Sequence, residues 1–176
     1  MDSIKIKKGQ SIIFSDDDME MISVIAQEKI DAKLRSGLSI SNYGFQGTPL
    51  EKEAMSIGSE IAFARMIGIQ DPTMRELINN NWYDFKIGDV TIDVKATKTT
   101  RKSISIPVEK AFKKHADIFV LMMQFHFCNF EFVGSIHKDD LIQANNIVRL
   151  DYWKHDTYKS SNLKDLELCH MIEKKI

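Results

Sequence analysis

The apolar positions fall into three spacings, and each predicts a kind of element. Leu50, Ala54, Ile57, Ile61 and Ala64 recur at steps of four and three, the spacing of one helix face. Thr48-Pro49-Leu50-Glu51 stands before them as a helix start, with Thr48 as N-cap, Pro49 in the first turn and Glu51 as the reciprocal cap. Gly68 suits the stop, so a helix is predicted over about 48–68. A second is predicted over 19–36, opened by Ser15-Asp16-Asp17-Asp18, whose carboxylates favour the positive helix end. Ile118 to Met123 is continuously apolar, as in a strand covered on both faces. Residues 125–136 alternate phenylalanine with polar residues and read as a further strand or hairpin. Short elements are expected at Ser103 to Pro107 (strand), Val108 to Ala116 (helix) and Lys138 to Ala144 (helix), with a closing helix over 161–174. Residues 37–47, with three glycines, read as a loop. Residues 69–81 read as irregular, and 145–160 show no period.

Asp84 to Lys95 alternate tightly around Gly88-Asp89, a two-residue turn signal. That turn sets Ile87 against Val90, Lys86 against Thr91 and Phe85 against Ile92. Asp84 then falls opposite Asp93, and Lys95 shares the face of Asp93. Opposed like charges destabilise a hairpin, and a divalent cation between the two carboxylates would offset that repulsion. Asp89 is the rival for the first acid, but this register leaves it in the turn.

Glu60 lies between Ile57 and Ile67 around the helix, within the apolar arc rather than opposite it. A carboxylate there needs a partner or must give up its charge. A blander reading pairs it with Arg65 or Lys95, and leaves Asp93 and Lys95 on a solvated strand face.

Glu60, Asp84 and Asp93-Val94-Lys95 resemble the active-site signature of the PD-(D/E)XK nuclease superfamily: a helix glutamate, a strand aspartate, then acid-any-lysine on the next strand. Gly58-Ser59-Glu60-Ile61-Ala62-Phe63 resembles its Gly-x-Glu-x-Ala helix, Ala116 to Leu121 its buried strand, and Phe132 to Ile136 with Asp140-Leu141 its closing strand and helix. The likeness covers about residues 48–144. No proline precedes Asp84, and the second acid is aspartate rather than glutamate. The resemblance implies an α/β, restriction-endonuclease-like core in the order α-β-β-β-α-β, with a mixed sheet flanked by helices, inside one domain spanning 1–176. It implies that Asp84 and Asp93 ligate Mg²⁺, for which Mn²⁺ would substitute, with the Val94 carbonyl as a further ligand and Glu60 ligating directly or through water. Lys95 would orient or deprotonate the attacking water and offset charge on the phosphate. On that scheme Lys95→Ala abolishes cleavage and leaves the fold intact.

Composition changes the picture in one respect. The net charge of −1 does not advertise a polyanion partner, but residues 95–115 carry seven Lys/Arg against one acid, leaving −7 on the rest. With Thr97, Thr99, Thr100 and Ser103 among them, Lys98, Arg101, Lys102, Lys113 and Lys114 are expected to touch DNA phosphates along with Thr97. The longest apolar run is too short to span a membrane. The amino terminus lacks the apolar segment of a signal peptide, and two cysteines make no disulfide framework. A reducing cytoplasm, or a host's, is the expected setting. Tyr152, Trp153 and Tyr158, with Lys154, are candidates to touch nucleic acid or a second subunit, but the aromatics are expected rather to pack on the domain's own surface. The leading expectation is a Mg²⁺-dependent endodeoxyribonuclease. Two others stand beside it: a structure-selective resolvase, repair or packaging nuclease on the same fold, and a non-catalytic nucleic-acid-binding module. Cutting both strands needs two sites, so a homodimer is compatible with the leading reading.

Overall fold

The computed structural model describes residues 3–40, 45–78, 83–98, 102–113, 115–149 and 156–169. The chain opens with two short strands, β1 (Ser3–Ile6) and β2 (Ser11–Ile13), that the apolar spacing does not mark. Helix α1 (Asp16–Arg35) follows, capped by Ser15, whose hydroxyl accepts the Asp18 N–H while the Asp18 carboxylate accepts the Ser15 N–H. Helix α2 (Pro49–Met66) has the reciprocal cap expected of Thr48 and Glu51. Residues 69–81 are not wholly irregular. They contain α3 (Met74–Ile78), which starts with a third capping box, in which Thr73 and Glu76 exchange hydrogen bonds.

The hairpin has the expected register: β3 (Phe85–Ile87) pairs with β4 (Val90–Thr97) as Phe85–Ile92, Lys86–Thr91 and Ile87–Val90, with Gly88 at φ 59° in the turn. β5 (Ile104–Pro107) and α4 (Val108–Lys113) lead into β6 (Ile118–His126), which turns directly into β7 (Asn129–His137). The chain continues through α5 (Lys138–Leu141), β8 (Ile147–Arg149), β9 (Asp156–Ser160) and β10 (Leu166–Cys169).

The central sheet has the order β2-β7-β6-β4-β3 and is mixed: β4 and β6 run parallel, and every other neighbouring pair is antiparallel. One face carries Ile92, Val94, Val120 and Met122 and is covered by α1 and α2. The other carries Phe119, Leu121, Met123 and Val133 and is covered by α4, α5 and a separate three-stranded sheet, β5-β9-β8. The protein is therefore an α/β fold with helices on both faces of a mixed sheet. Among the described residues no helix is long and apolar enough to cross a membrane.

Three expectations need correction. The strand at 104–107 forms but leaves the central sheet, because Ile104 and Ile106 pack into the second core and their backbone pairs with β9. The closing helix expected over 161–174 is instead strand β10 in its described part. Leu166 and Leu168 are buried while Glu167 is exposed, a period of two, and the strand pairs with β1. The span 145–160, without visible period, supplies β8 and β9. Of its aromatics, Tyr158 is buried as expected, while Tyr152 and Trp153, like Lys154, lie outside the described residues.

Gly58 sets how closely α2 approaches the sheet. A Cβ built there would stand 2.4 Å from Cζ of Phe130, a ring with no exposed surface that packs on Phe14 at 5.3 Å. Gly58→Ala would gain about 1 kcal/mol of helix propensity but overpack a closed contact costing about 1–3 kcal/mol. A net loss of about 1 kcal/mol is expected, read from the urea midpoint.

Candidate active site

β3 is only three residues long, whereas β4 has eight. Among the described residues no strand lies beside β4 on that edge past Phe85. The Thr91 carbonyl accepts the Asp117 N–H toward β6, and the Ile92 carbonyl accepts the Asp84 N–H toward β3, each at 2.9 Å. Backbone groups alternate sides along a strand, so the N–H and C=O of Val94 also face the free edge. There the Val94 N–H donates to Asp84 Oδ2 at 2.6 Å.

This refines the sequence register. Asp84 does not simply pair across from Asp93. Its amide shares Ile92 with Phe85, so the chain bends out of the ladder and swings the Asp84 carboxylate against the β4 backbone. Asp89 is exposed in the turn, as its place beside Gly88 implied.

Asp93 and Lys95 lie on the face opposite α2, in register with Phe119 and Leu121. Asp93 is 1% exposed, and its Oδ2 is in contact with the Lys95 ammonium, which is one-third exposed. The solvated-face reading of Asp93 thus fails, because the second core surrounds it.

Glu60 comes to the same edge from α2 and is half-buried, with the Ser56 hydroxyl 3.5 Å from Oε1. Its carboxyl is pushed up to about 8, first by burial and next by the Asp84 charge, with Lys29 and Lys95 acting in the opposite sense. Arg65 is not its partner. That guanidinium grips Asp18 and Asp71 at 2.6–3.1 Å, stacks over Phe14, and ties the start of α1 to the end of α2.

Glu60, Asp84, Asp93 and Lys95 thus meet electrostatically at one sheet edge. Among the described residues no three His, Cys, Asp or Glu side chains are drawn together as a closed ligand group. Asp84 is turned to the Val94 amide and Asp93 to Lys95, the arrangement expected of like charges that each take a local partner.

Magnesium, the ion implied by the resemblance, fits this donor set on chemical grounds. Three carboxylates and a carbonyl directed to the free edge are hard oxygen donors. A carboxyl kept protonated first by burial and next by a neighbouring carboxylate is one beside which a cation would be favoured.

The residues expected to touch phosphates are dispersed. Lys98 Nζ lies 3.8 Å from Glu51 and over the Phe45 ring, at the mouth of a recess between α1, α2 and the β6–β7 turn. Lys102 is exposed and lines a different recess, with Lys8 and Glu131. Thr97 is half-buried at the end of β4. Arg101 and Lys114 lie outside the described residues, as does the side chain of Lys113.

The sequence reading passed over Lys29, whose charge acts on Glu60, and the lysines around Glu53. Lys29 and Lys33 on α1 both pair with Glu53, one turn beyond Ser56 on α2, and Lys52 adjoins them. Their signals were the four-residue step from Lys29 to Lys33 and the run Lys52, Ser56, Glu60 on one side of a helix.

Comparison with family models, with curated proteins and with solved structures found no match.

Proposed function

We propose that this chain is a metal-dependent nuclease that hydrolyses DNA phosphodiester bonds, with a restriction-endonuclease-like core of the PD-(D/E)XK type. One observation carries the reading: Asp84 binds the Val94 amide and Asp93 contacts Lys95 on β4, and the charges of Asp84, Asp93 and Lys95 all act on Glu60 of α2.

Asp84, Asp93, the Val94 carbonyl and Glu60 would hold Mg²⁺, which when bound supplies a more acidic water and a positive charge on the phosphate. Asp84 is fixed by the Val94 amide, so its carboxylate needs little reorganisation. Lys95 stands one strand step from Asp93 on the same face, with part of its surface open. From there its ammonium can orient a water and offset charge building on a nonbridging phosphate oxygen. Glu60, protonated near neutral pH in the bare protein, gives up that proton when positive charge arrives beside it.

Supercoiled plasmid incubated with Mg²⁺ or Mn²⁺ is the direct test. Nicking or linearisation by the wild type, lost in Asp93→Ala, is the expected result. A folded wild-type protein that leaves linear, nicked and branched DNA intact with either ion would overturn the proposal.

A further inference from the structure

The recess between α1, α2 and the β6–β7 turn has a volume of about 390 Å³. Phe125 and Phe127 line it from the turn, 56% and 72% exposed. The turn is held shut by the Gln124 amide, which donates to the Phe127 carbonyl at 2.8 Å, and the Phe125 ring stands perpendicular to that of His126. Leu50 and Ala54 of α2 add apolar lining. Lys98 brings an ammonium to the same recess, 3.8 Å from Glu51 and 5.1 Å from the centre of the Phe45 ring. Two large rings left in water on one turn forgo the stabilisation that burial brings, and such a patch marks a surface that is covered in use.

Two elements join the recess to the proposed metal site. On β4, Thr97 is two residues past Lys95, about 7 Å along the strand, and Lys98 follows at once. On α2, Ala54 is six residues before Glu60, about 9 Å along the axis. β6 runs parallel to β4 with Met123 opposite Thr97, so its turn projects beyond the end of β4, beside Lys98. The volume is that of a small-molecule site. Exposed aromatic rings with a cation beside them match a nucleotide: any base has a π-face that stacks on such a ring, and the ammonium pairs with its phosphate.

We infer that this recess takes one unpaired base of the nucleic-acid substrate, stacked against Phe125 and Phe127, with Lys98 on an adjoining phosphate. A base inside a duplex has both faces covered by its neighbours and must leave the stack before it can enter. The recess therefore selects DNA with a single-stranded nucleotide within a few positions of the cut bond, as at a flap or a branch. Stacking is tolerant of base identity, so the selection is for structure and not for sequence. This rests on the nuclease reading above and names its substrate class.

The test uses the full chain, in chelator so that nothing is cut, and two DNAs of one sequence: a paired duplex, and the same duplex carrying a single-stranded flap. The wild type should bind the flapped form at least tenfold more tightly. Base-free residues placed singly along the flap should weaken wild-type binding about tenfold at one or two adjacent positions, the scale of losing one stacked base. In the double variant Phe125→Ala, Phe127→Ala both the preference and that penalty should disappear, with the urea midpoint unchanged because both rings are mostly exposed. Phe127→Trp should bind as tightly as the wild type and Phe127→Leu less tightly, since leucine is apolar but offers no ring. Leu34→Ala, which removes an exposed apolar side chain away from the recess, should change nothing. Equal affinity for paired and flapped DNA, or a base-removal penalty as large in the double variant as in the wild type, would overturn the recess and leave the nuclease reading in place. A wild-type dimer in sedimentation that the double variant splits would assign the two rings to a second copy of this chain, and would overturn it too. A wild type that neither binds nor cuts any of these DNAs would sink the nuclease reading, and the recess with it.

Discussion

Lys95→Ala is expected to lower cleavage at least 100-fold, the range for removing a group that carries proton transfer or charge stabilisation. It is also expected to destabilise the metal-free protein, a point on which the structure changes the sequence-based expectation of an intact fold. Asp93 is 1% exposed and its carboxylate contacts the Lys95 ammonium. Truncating the lysine leaves a buried charge with less compensation. The loss should be about 3 kcal/mol, at the low end for a broken buried pair because Lys95 itself is one-third exposed. Two controls separate the effects. Asp93→Asn in the Lys95→Ala background removes the buried charge, and should recover most of the stability and none of the activity. Mn²⁺ should raise the melting temperature of Lys95→Ala more than that of the wild type, because the ion takes over the compensating role. Chemical denaturation and a plasmid-nicking assay read the two halves independently. Wild-type cleavage by folded Lys95→Ala would remove the lysine from the mechanism.

The second large effect is a fall in metal-free stability as pH rises. Glu60 is pushed up from 4.5 to about 8 in the folded protein, so between those values the native state holds a proton that the unfolded chain has released. Stability from this group is therefore fully present below about pH 4.5 and is lost progressively toward pH 8. The full span corresponds to up to about 5 kcal/mol. Urea unfolding in the presence of a chelator, at several pH values from about 5 to 8, should show the decline in the wild type and a nearly flat profile in Glu60→Gln. Saturating Mg²⁺ or Mn²⁺ should flatten the wild-type profile as well. Calorimetric titration of the ion near pH 7, in buffers of different ionisation enthalpy, should show a proton released on binding. Equal slopes in wild type and Glu60→Gln would mean that Glu60 is not the group responsible.

Much of the fold around the site was legible because local rules dominate there. The Thr48–Glu51 cap and the Gly88 turn are short-range devices, and both formed in the predicted register. The apolar run from Ile118 became the strand at the centre of the sheet, since six consecutive apolar residues have no solvent face. Misreadings fell where long-range pairing decides. β10 is a strand because β1, more than 150 residues earlier, offers it an edge. β5 leaves the central sheet because β9 competes for its backbone. A short apolar segment does not specify which edge it will find.

The candidate site divides in the same way. Its candidate residues were drawn from order and alternation: a glutamate inside an apolar helix arc, then two aspartates and a lysine around one hairpin. Sequence spacing also fixed that Asp93 and Lys95 share a face, because strand alternation is a property of the backbone. Only the tertiary structure decided that Asp84 leaves the ladder to bind the Val94 amide and that Asp93 is buried beside the second core. Those outcomes depend on how short β3 is beside β4 and on what packs against the face that carries Asp93. Periodicity along one chain carries no information about where a neighbouring strand stops.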